Sequence, residues 1–339
     1  MRRWGVTYDT GFLHAGGTTR ERFDARVVGR EMSILHADLG CDAVRITGGD
    51  QDRLETAATL AAEAGLEVWY CPFTADVGED ELFAFLGEAA ERAERLRLAG
   101  ADVVLVTGSE IGVFVPGFLP GATLEERMAA LSRPETLRAR LPDVRARVNA
   151  FLARAVTMVR ERFAGPVTYA SLPFEGVDWT PFDLAATDAA YGSPADADRF
   201  RAGIRALAAT GKPVAITESG CPTYRGASAP GSRGDRIVEW DGARAVRLDG
   251  PYERAEDEQA VCLLTLLDLF EAERVDTAFV NTFARYDLPR RGDPRRDLDL
   301  ASYGIVAVYE DRHGERYPDM PWEPKAAFRA LAGRYGRSG

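Results

Sequence analysis

Two glutamates follow directly on apolar runs of the sequence, where a charge is either a solvated loop residue or a placed reagent. Glu110 closes the run "VVLVTGSE", and Glu218 ends the apolar start of "VAITESG". Two carboxylates on either side of one bond can divide the chemistry, because a dry pocket keeps one protonated and a nearby cation keeps the other ionised. At a separation of about 5 Å, such a pair suits double displacement at the anomeric carbon of a sugar.

The chain has few residues from which other kinds of reactive site could be built. Histidines and cysteines are few and scattered, with no CxxC pair, which fits neither a disulfide framework nor a zinc site. A Ser/His/Asp triad is equally hard to assemble. The residues concerned are His14, His36, His313, Cys41, Cys71, Cys221 and Cys262. We therefore expect chemistry that rests on carboxylates, with no metal and no organic cofactor.

Composition and charge limit the possible partners. The 339 residues are 46% hydrophobic and 28% charged, with a net charge of -11. This acidic balance disfavours nucleic acid, whose phosphates attract a basic surface. A basic cluster at 288–299 also contains aspartates, Gly and Pro, which is typical of a solvated loop. No apolar stretch suits a signal peptide or the roughly 20 residues of a membrane span, so a reducing cytoplasm is the expected location.

The elements that must position the two glutamates alternate along the chain. Short β-branched apolar runs recur, each followed by a longer helical pattern, which makes eight strand–helix units. Nearly continuous apolar strands in such a series predict an α/β fold, a (β/α)8 TIM barrel that forms a single domain over residues 1–339. A doubly wound open sheet is less favoured, because no GxGxxG turn follows the first run. The eight runs are 4–10, 42–48, 66–74, 101–110, 166–172, 183–192, 212–220 and 276–287.

In such a barrel the active site lies at the C-terminal ends of the strands. Strands four and seven are three positions apart in a ring of eight, so Glu110 and Glu218 are predicted to face each other across the mouth. Arg45 is the candidate cation beside one of them, although a structural ion pair explains it nearly as well. Asp9 and Asp188 either bind substrate hydroxyls or cap loops and helices. The substrate-binding candidates are Tyr8, Asp9, Arg45, Ser109, Asp188, Tyr191, Asn281 and Phe283.

These strand ends resemble those of one large enzyme clan. The two glutamates, the arginine in "VRI", the tyrosine after strand six and the run "KPVAITESG" are similar to motifs of the retaining (β/α)8-barrel glycoside hydrolases, which include β-glucosidases, β-galactosidases, cellulases, mannanases and galactanases. The resemblance spans all eight units. It implies that Glu218 is the nucleophile, Glu110 the acid/base and Tyr191 the hydroxyl that orients the nucleophile. The implied enzyme is a retaining glycosidase or transglycosidase, whose partner is a small β-linked glycoside or oligosaccharide.

Two positions depart from the pattern of that clan. Ser109 stands where the family usually has an Asn that contacts the 2-hydroxyl of the sugar, and a serine is shorter. Either water or another strand end then supplies the contact, or the substrate lacks an ordinary 2-hydroxyl. After strand eight, many members place a Trp under the sugar ring, whereas this chain has "NTFARYD". Phe283 or Tyr286 could replace that Trp.

Two long loops, 111–141 and 221–258, follow the two glutamates and exceed the usual length of a connection. Phe114 brings an apolar group close to Glu110. The loops either narrow the pocket as a lid or pack on each other as a structural flap. Within the second loop, residues 237–248 predict a β-hairpin around Asp241 and Gly242.

Two other functions remain open at this stage. The first is a barrel that binds a sugar or metabolite without hydrolysing it, with Ser109 as a mark of lost or altered catalysis. The second is a lyase, isomerase or aldolase. It is less favoured because Lys212 starts strand seven at the wrong end for catalysis, and no phosphate-binding glycine pair follows strands seven or eight.

Overall fold

Eight parallel strands form a barrel at the centre of the molecule. The computed structural model describes residues 1–131, 133–188, 190–191 and 196–336. The strands run in the order β5-β4-β3-β2-β1-β8-β7-β6, and a parallel bridge between Ser171 and Thr187 joins the two ends. The predicted (β/α)8 fold is therefore confirmed. The strands are β1 Arg3–Asp9, β2 Ala43–Gly48, β3 Glu67–Pro72, β4 Val103–Ser109, β5 Val167–Ala170, β6 Ala185–Thr187, β7 Val214–Gly220 and β8 Thr277–Val280.

Successive side chains of each strand alternate between the barrel interior and the helix layer. In the interior, Trp69 of β3 and Phe279 of β8 pack edge to face, with ring centroids 5.0 Å apart. Small residues of other strands make room for these two rings. A Cβ on Gly5 of β1 would lie 3.3 Å from the Phe279 ring and only 1.9 Å from the carbonyl oxygen of Ala43, so this position requires glycine. The same alternation determines which side chains at the strand ends reach the cavity.

Helices cover the barrel on its outside. Asp24 and Asp50 cap the first two helices, where each carboxylate accepts backbone N–H groups of the first turn. Among the described residues, no helix is long and apolar enough to cross a membrane. The helices between and after the strands are α1 Ala25–Ala37, α2 Gln51–Glu63, α3 Glu79–Leu98, α4 Pro134–Arg160, α5 Ala197–Ala208, α6 Glu256–Ala272 and α7 Ala326–Tyr335.

The connection between β5 and β6 corrects the expectation of a helix in every unit. Residues 171–184 are all described, and they contain only a 3-10 turn over Pro173–Glu175. Pro173, Gly176 and Pro181 interrupt any longer helix, because proline lacks an N–H donor and glycine favours the left-handed turn seen at Gly176, where φ is 56°. This side of the barrel is consequently covered by a loop.

The two long loops contain secondary structure of their own at the mouth of the barrel. The loop after β4 contains short helices over Ile111–Phe114 and Leu124–Leu131. In the loop after β7, the predicted hairpin is confirmed as the antiparallel pair Val238–Asp241 and Arg244–Leu248. The tip of this hairpin touches the loop after β1, since a Cβ on Gly17 would lie 2.5 Å from that of Ala243. The hairpin therefore contacts the loop after β1.

Candidate active site

A cavity of about 1180 Å³ opens at the C-terminal ends of the strands. It continues along the side of the barrel where the connection between β5 and β6 has no helix, so its lining includes Trp179 and Phe200. Its size suits a small organic ligand. Five of the ten candidate catalytic and substrate-binding residues line it, namely Asp9, Glu110, Asp188, Glu218 and Asn281.

Glu218 is held by two donors from other strands. The Arg45 guanidinium donates through Nη1 to Glu218 Oε1 at 2.5 Å, and Asn281 donates through Nδ2 to Glu218 Oε2 at 3.2 Å. Arg45 is completely buried, whereas the Glu218 side chain keeps 15% of its surface exposed. The charge-assisted bond to a buried cation fixes the orientation of this carboxylate. Glu218 thus presents an arginine-bound carboxylate to the cavity.

Below the cavity, Arg45 is shared with a second carboxylate. Its Nη2 donates to Ser109 Oγ at 3.1 Å and lies 3.9 Å from Asp188 Oδ2. The Ser109 hydroxyl in turn donates to Asp188 Oδ2 at 2.7 Å. Burial raises the pKa of Asp188 to about 6, even though Arg45 opposes the shift. The Ser109 hydroxyl is therefore bound within a buried network with Arg45 and Asp188 and does not point at a ligand.

Ser109→Ala is expected to lower the free energy of unfolding by about 1–3 kcal/mol, the usual penalty for leaving a buried polar group unsatisfied. The loss should be visible in urea denaturation at pH 7. The matched control is Ser33→Ala, because Ser33 is an exposed residue of α1 whose hydroxyl bonds only to the local carbonyl of Gly29. Equal losses in the two variants would contradict the buried network.

Glu110 occupies an unusual backbone position at the end of β4. Its φ of 48° and ψ of 39° are left-handed, a conformation that costs a non-glycine residue of order 1 kcal/mol. The turn is fixed by bonds from Glu110 N–H to the Ala170 carbonyl at 2.9 Å and from Val113 N–H to the Glu110 carbonyl at 2.8 Å. Such positions cluster at functional sites, where the surroundings hold them in place.

The electrostatic surroundings of Glu110 are the opposite of those of Glu218. Burial raises the pKa of Glu110 well above its usual range, and the negative charges of Asp188, Glu218 and Glu175 raise it further. Arg45 opposes this shift but does not cancel it. The cavity thus presents a carboxylate bound by a buried cation and a second carboxyl group whose pKa is raised well above its usual range.

Glu175 holds the turn that follows Glu110. This buried carboxylate accepts N–H bonds from Leu172 at 2.7 Å and from Gly112 at 2.8 Å, and the hydroxyl of Tyr169 at 2.8 Å. Burial raises its pKa to about 7. Glu175 was not predicted as a site residue, because it lies in the loop after β5 and not at the end of a strand. The motif "LPFE", with a glutamate three residues after Leu172, was the local signal.

Tyr8 and Phe283 do not line the cavity, which corrects their prediction as substrate contacts. Tyr8 is fully buried and donates its hydroxyl to Glu31 of α1, and its ring stacks on Phe283 with centroids 6.0 Å apart. Because Asp9 faces inward, the strand alternation turns Tyr8 outward. Tyr286 likewise donates to Glu31, at 2.5 Å, and so does not replace a tryptophan under a sugar.

Tyr191 is described only through its backbone. Ala190–Tyr191 pairs with β7 opposite Ser219 and Gly220, which brings this segment beside the strand that carries Glu218. The Tyr191 side chain lies outside the described part of the structure. Its assignment as the group that orients the nucleophile stays a prediction.

The wall formed by β1, β8 and the loop after β7 is polar. Asp9 lines it, while its carboxylate accepts the Gly11 N–H at 2.8 Å and the Thr19 hydroxyl. Arg285 also lines the cavity and binds Asp287 through two bonds of 2.9 and 2.7 Å. Asp235 joins them from the loop after β7, where no strand periodicity could indicate it. Ligand hydroxyls would find both donors and acceptors on this wall.

No metal centre emerges from the described residues. Among them, no group of three or more His, Cys, Asp or Glu side chains is arranged to hold a metal ion. Two carboxylates of the cavity, those of Glu218 and Asp188, instead lie within 4 Å of the Arg45 guanidinium, at 2.5 and 3.9 Å.

Known proteins resemble this chain in fold, whereas the sequence searches found no match. No family model and no curated protein sequence matches the chain. A β-1,4-mannanase of glycoside hydrolase family 113 shares 15% identity over 99% of both chains, with a TM-score of 0.61. The family 113 β-mannanase of Alicyclobacillus acidocaldarius shares 17% identity over 98% of this chain and 96% of its own, with a TM-score of 0.58. Bacteroides uniformis β-glucuronidase 2 shares 13% identity over all of this chain but 36% of its own, with a TM-score of 0.60. The chain therefore has the (β/α)8 fold that these glycosidases have.

Proposed function

We propose that this protein is a retaining β-glycosidase in which Glu218 is the nucleophile and Glu110 the acid/base. The observation that carries the proposal is the pairing in one cavity of an arginine-bound carboxylate with a carboxyl group whose pKa burial raises well above its usual range. These are the two environments that the two roles of double displacement require. The fold shared with mannanases and a β-glucuronidase is consistent with the proposal.

In the first step, Glu218 attacks the anomeric carbon and the glycosidic C–O bond breaks. Glu110 gives its proton to the departing oxygen, and the sugar becomes an ester of Glu218. Arg45 and Asn281 hold the attacking carboxylate in position until its charge is consumed. The polar wall with Asp9 and Arg285 binds the hydroxyls of the sugar.

In the second step, Glu110 acts as the base. The charge of Glu218 contributes to the raised pKa of Glu110. Once Glu218 is esterified, that charge is gone, and the pKa of Glu110 falls toward its usual range. Glu110 then takes a proton from a water molecule that attacks the anomeric carbon, and Glu218 leaves as a carboxylate. The same electrostatic coupling thus serves both steps.

Trapping with activated 2-fluoro glycosides tests the proposal and identifies the sugar. The fluorine slows the second step more than the first when the leaving group is good, so the ester accumulates. We expect one sugar of a panel that includes mannose, glucose, galactose and glucuronic acid to label the protein once. Peptide mapping should place the label on Glu218. A label on another residue, or no label with any sugar, would contradict the assignment.

Glu175→Gln is expected to move the basic limb of the kcat/KM profile to lower pH. Glu175 contributes negative charge that raises the pKa of Glu110, so its neutralisation lets Glu110 lose its proton earlier as pH rises. Because the pKa of Glu175 is itself about 7, its charge develops in the range where Glu110 must stay protonated. The measurement is kcat/KM from pH 5 to 9 on an aryl glycoside.

The control for this shift is Glu63→Gln, an exposed glutamate at the end of α2. A merely structural role for Glu175 would lower kcat/KM at every pH without moving the limb. A basic limb at the same pH in Glu175→Gln and the wild-type protein would therefore contradict the proposed electrostatic coupling between Glu175 and Glu110.

A further inference from the structure

The wall of the cavity beside Glu110 differs from the polar wall opposite. From β3 to the end of α4, the described residues that line the cavity besides Glu110 are all apolar. None of these side chains carries a nitrogen or oxygen atom, so none can satisfy a ligand hydroxyl. They are Phe73, Phe114, Met128 and Leu131.

Three phenyl rings dominate this side, and we refer to Phe12, Phe73 and Phe114 as the phenyl corner. Their ring centroids lie 4.6, 4.8 and 5.5 Å apart. The ring of Phe114 is nearly perpendicular to the other two, at 85° and 81°. The three side chains are partly exposed and line the cavity. Together they form a concave apolar corner rather than a flat platform.

Ionic contacts outside the cavity hold the phenyl corner in shape. The Phe114 carbonyl accepts the Asp76 N–H at 3.0 Å and Arg127 Nη2 at 3.1 Å. The Asp76 carboxylate accepts Arg127 Nη2 at 2.6 Å and lies 3.0 Å from His14 Nδ1. These bonds join the loops after β1, β3 and β4. A corner that is already formed loses little conformational freedom when it binds a ligand.

We propose that the phenyl corner is the aglycone site, and that the substrates are β-glycosides of an apolar aryl alcohol rather than oligosaccharides. The assignment rests on the proposed function, because the leaving group must lie beside the acid. Glu110 directly precedes the turn Ile111–Phe114, so the departing oxygen lies at the entrance of the corner. The sugar itself lies toward Glu218 and the polar wall.

A second sugar in the corner would meet an unfavourable surface. With Phe114 at 85° and 81° to the other two rings, the corner offers no flat platform on which a sugar ring could stack, and the hydroxyls would lose water against Phe, Met and Leu side chains that cannot replace the hydrogen bonds. An aryl group, in contrast, buries its faces and edges against three rings and leaves no polar atom unsatisfied. The chemistry of the wall therefore separates this chain from an oligosaccharide hydrolase with a polar aglycone site.

A series of β-glycosides of one sugar tests the aglycone site on the wild-type protein. The aglycones are phenol and its 4-methyl, 4-ethyl and 4-propyl derivatives, whose similar acidity keeps the leaving-group chemistry constant. We expect kcat/KM to rise about fourfold for each methylene that enters the corner. A β-linked disaccharide of the same sugar should be hydrolysed least well. A flat series, or preference for the disaccharide, would overturn the proposal.

Phe114→Ala supplies the matched variant. The quantity measured is the ratio of kcat/KM for the 4-propylphenyl glycoside to that for the glycosyl fluoride, whose leaving group does not reach the corner. We expect the ratio to fall about tenfold to a hundredfold. The control Phe83→Ala removes a partly buried phenyl of α3 that packs on Phe151, outside the cavity, and should leave the ratio unchanged.

The outcomes separate the two proposals. If the fluoride is hydrolysed but the ratio does not change in Phe114→Ala, the aglycone site is wrong while the glycosidase stands. If no glycosyl fluoride of any sugar is hydrolysed by the wild-type protein, the proposed function fails and the aglycone site fails with it. Should Phe114→Ala not fold, the wild-type series decides the question.

Discussion

Glu110→Gln is expected to lower kcat/KM by about 10²–10⁴-fold for alkyl glycosides, whose oxygen must be protonated to leave. Glycosyl fluorides and dinitrophenyl glycosides should lose far less in the first step, because their leaving groups depart without a proton. The ester on Glu218 should then accumulate, since no base activates the water of the second step. Steady-state kinetics with the two kinds of leaving group, together with a pre-steady-state burst, measure both effects.

The pH profile of Glu110→Gln provides a second test of the assignment of Glu110 as the acid. In the wild-type protein, activity is expected to fall as rising pH removes the proton of Glu110, whose pKa burial holds well above its usual range. A glutamine has no such proton, so the basic limb should vanish from the profile of Glu110→Gln. Glu81→Gln, which changes an exposed glutamate of α3, should keep the limb. A limb that persists in Glu110→Gln would assign the acid to another group.

The fold followed from the sequence because the strand signal is local. Buried parallel strands are apolar over nearly their whole length, and their order in a barrel follows the chain. The interruption by Pro173 and Gly176 is also local, and it explains the absence of a helix between β5 and β6. The number of strands was therefore predicted correctly, whereas this break between β5 and β6 was not predicted.

The direction of a side chain was harder to predict than its position. Tyr8 and Asp9 end the same strand, yet Tyr8 packs against Glu31 and Asp9 lines the cavity. Ser109 illustrates the same limit, since its hydroxyl bonds to Asp188 beneath the cavity. Two neighbouring residues at a strand end point to opposite faces of the sheet. Only the register of the closed barrel determines which of the two side chains faces the cavity.

The loop residues of the site depend on contacts between distant parts of the chain. Phe12 reaches Phe73 and Phe114 because Asp76, Arg127 and His14 join three loops. Glu175 reaches Gly112 across 63 residues. No periodicity indicates such contacts, so the sequence predicted the paired glutamates and an apolar Phe114 near Glu110, but neither the complete phenyl corner nor the carboxylate that supports Glu110.

Glu218→Gln is expected to reduce kcat on the order of 10⁵-fold for every glycoside, with good and poor leaving groups affected alike. The neutral amide oxygen of glutamine is a much weaker nucleophile than a carboxylate, so the first step fails whatever the leaving group. The loss should not reflect unfolding, because Arg45 keeps its bonds to Ser109 and Asp188 when Glu218 is changed. Urea denaturation beside the kinetics checks this point.

Azide distinguishes the two glutamates by the stereochemistry of the product. In Glu218→Ala, azide can enter the space of the missing carboxylate and attack the anomeric carbon while Glu110 protonates the leaving oxygen, which gives the α-glycosyl azide. In Glu110→Ala, azide instead attacks the ester on Glu218 from the opposite face and gives the β-glycosyl azide. Nuclear magnetic resonance of the products assigns each anomer. Because Arg45 and Asn281 bind Glu218 and not Glu110, we expect this order, and the reverse pair of products would exchange the roles of the two residues.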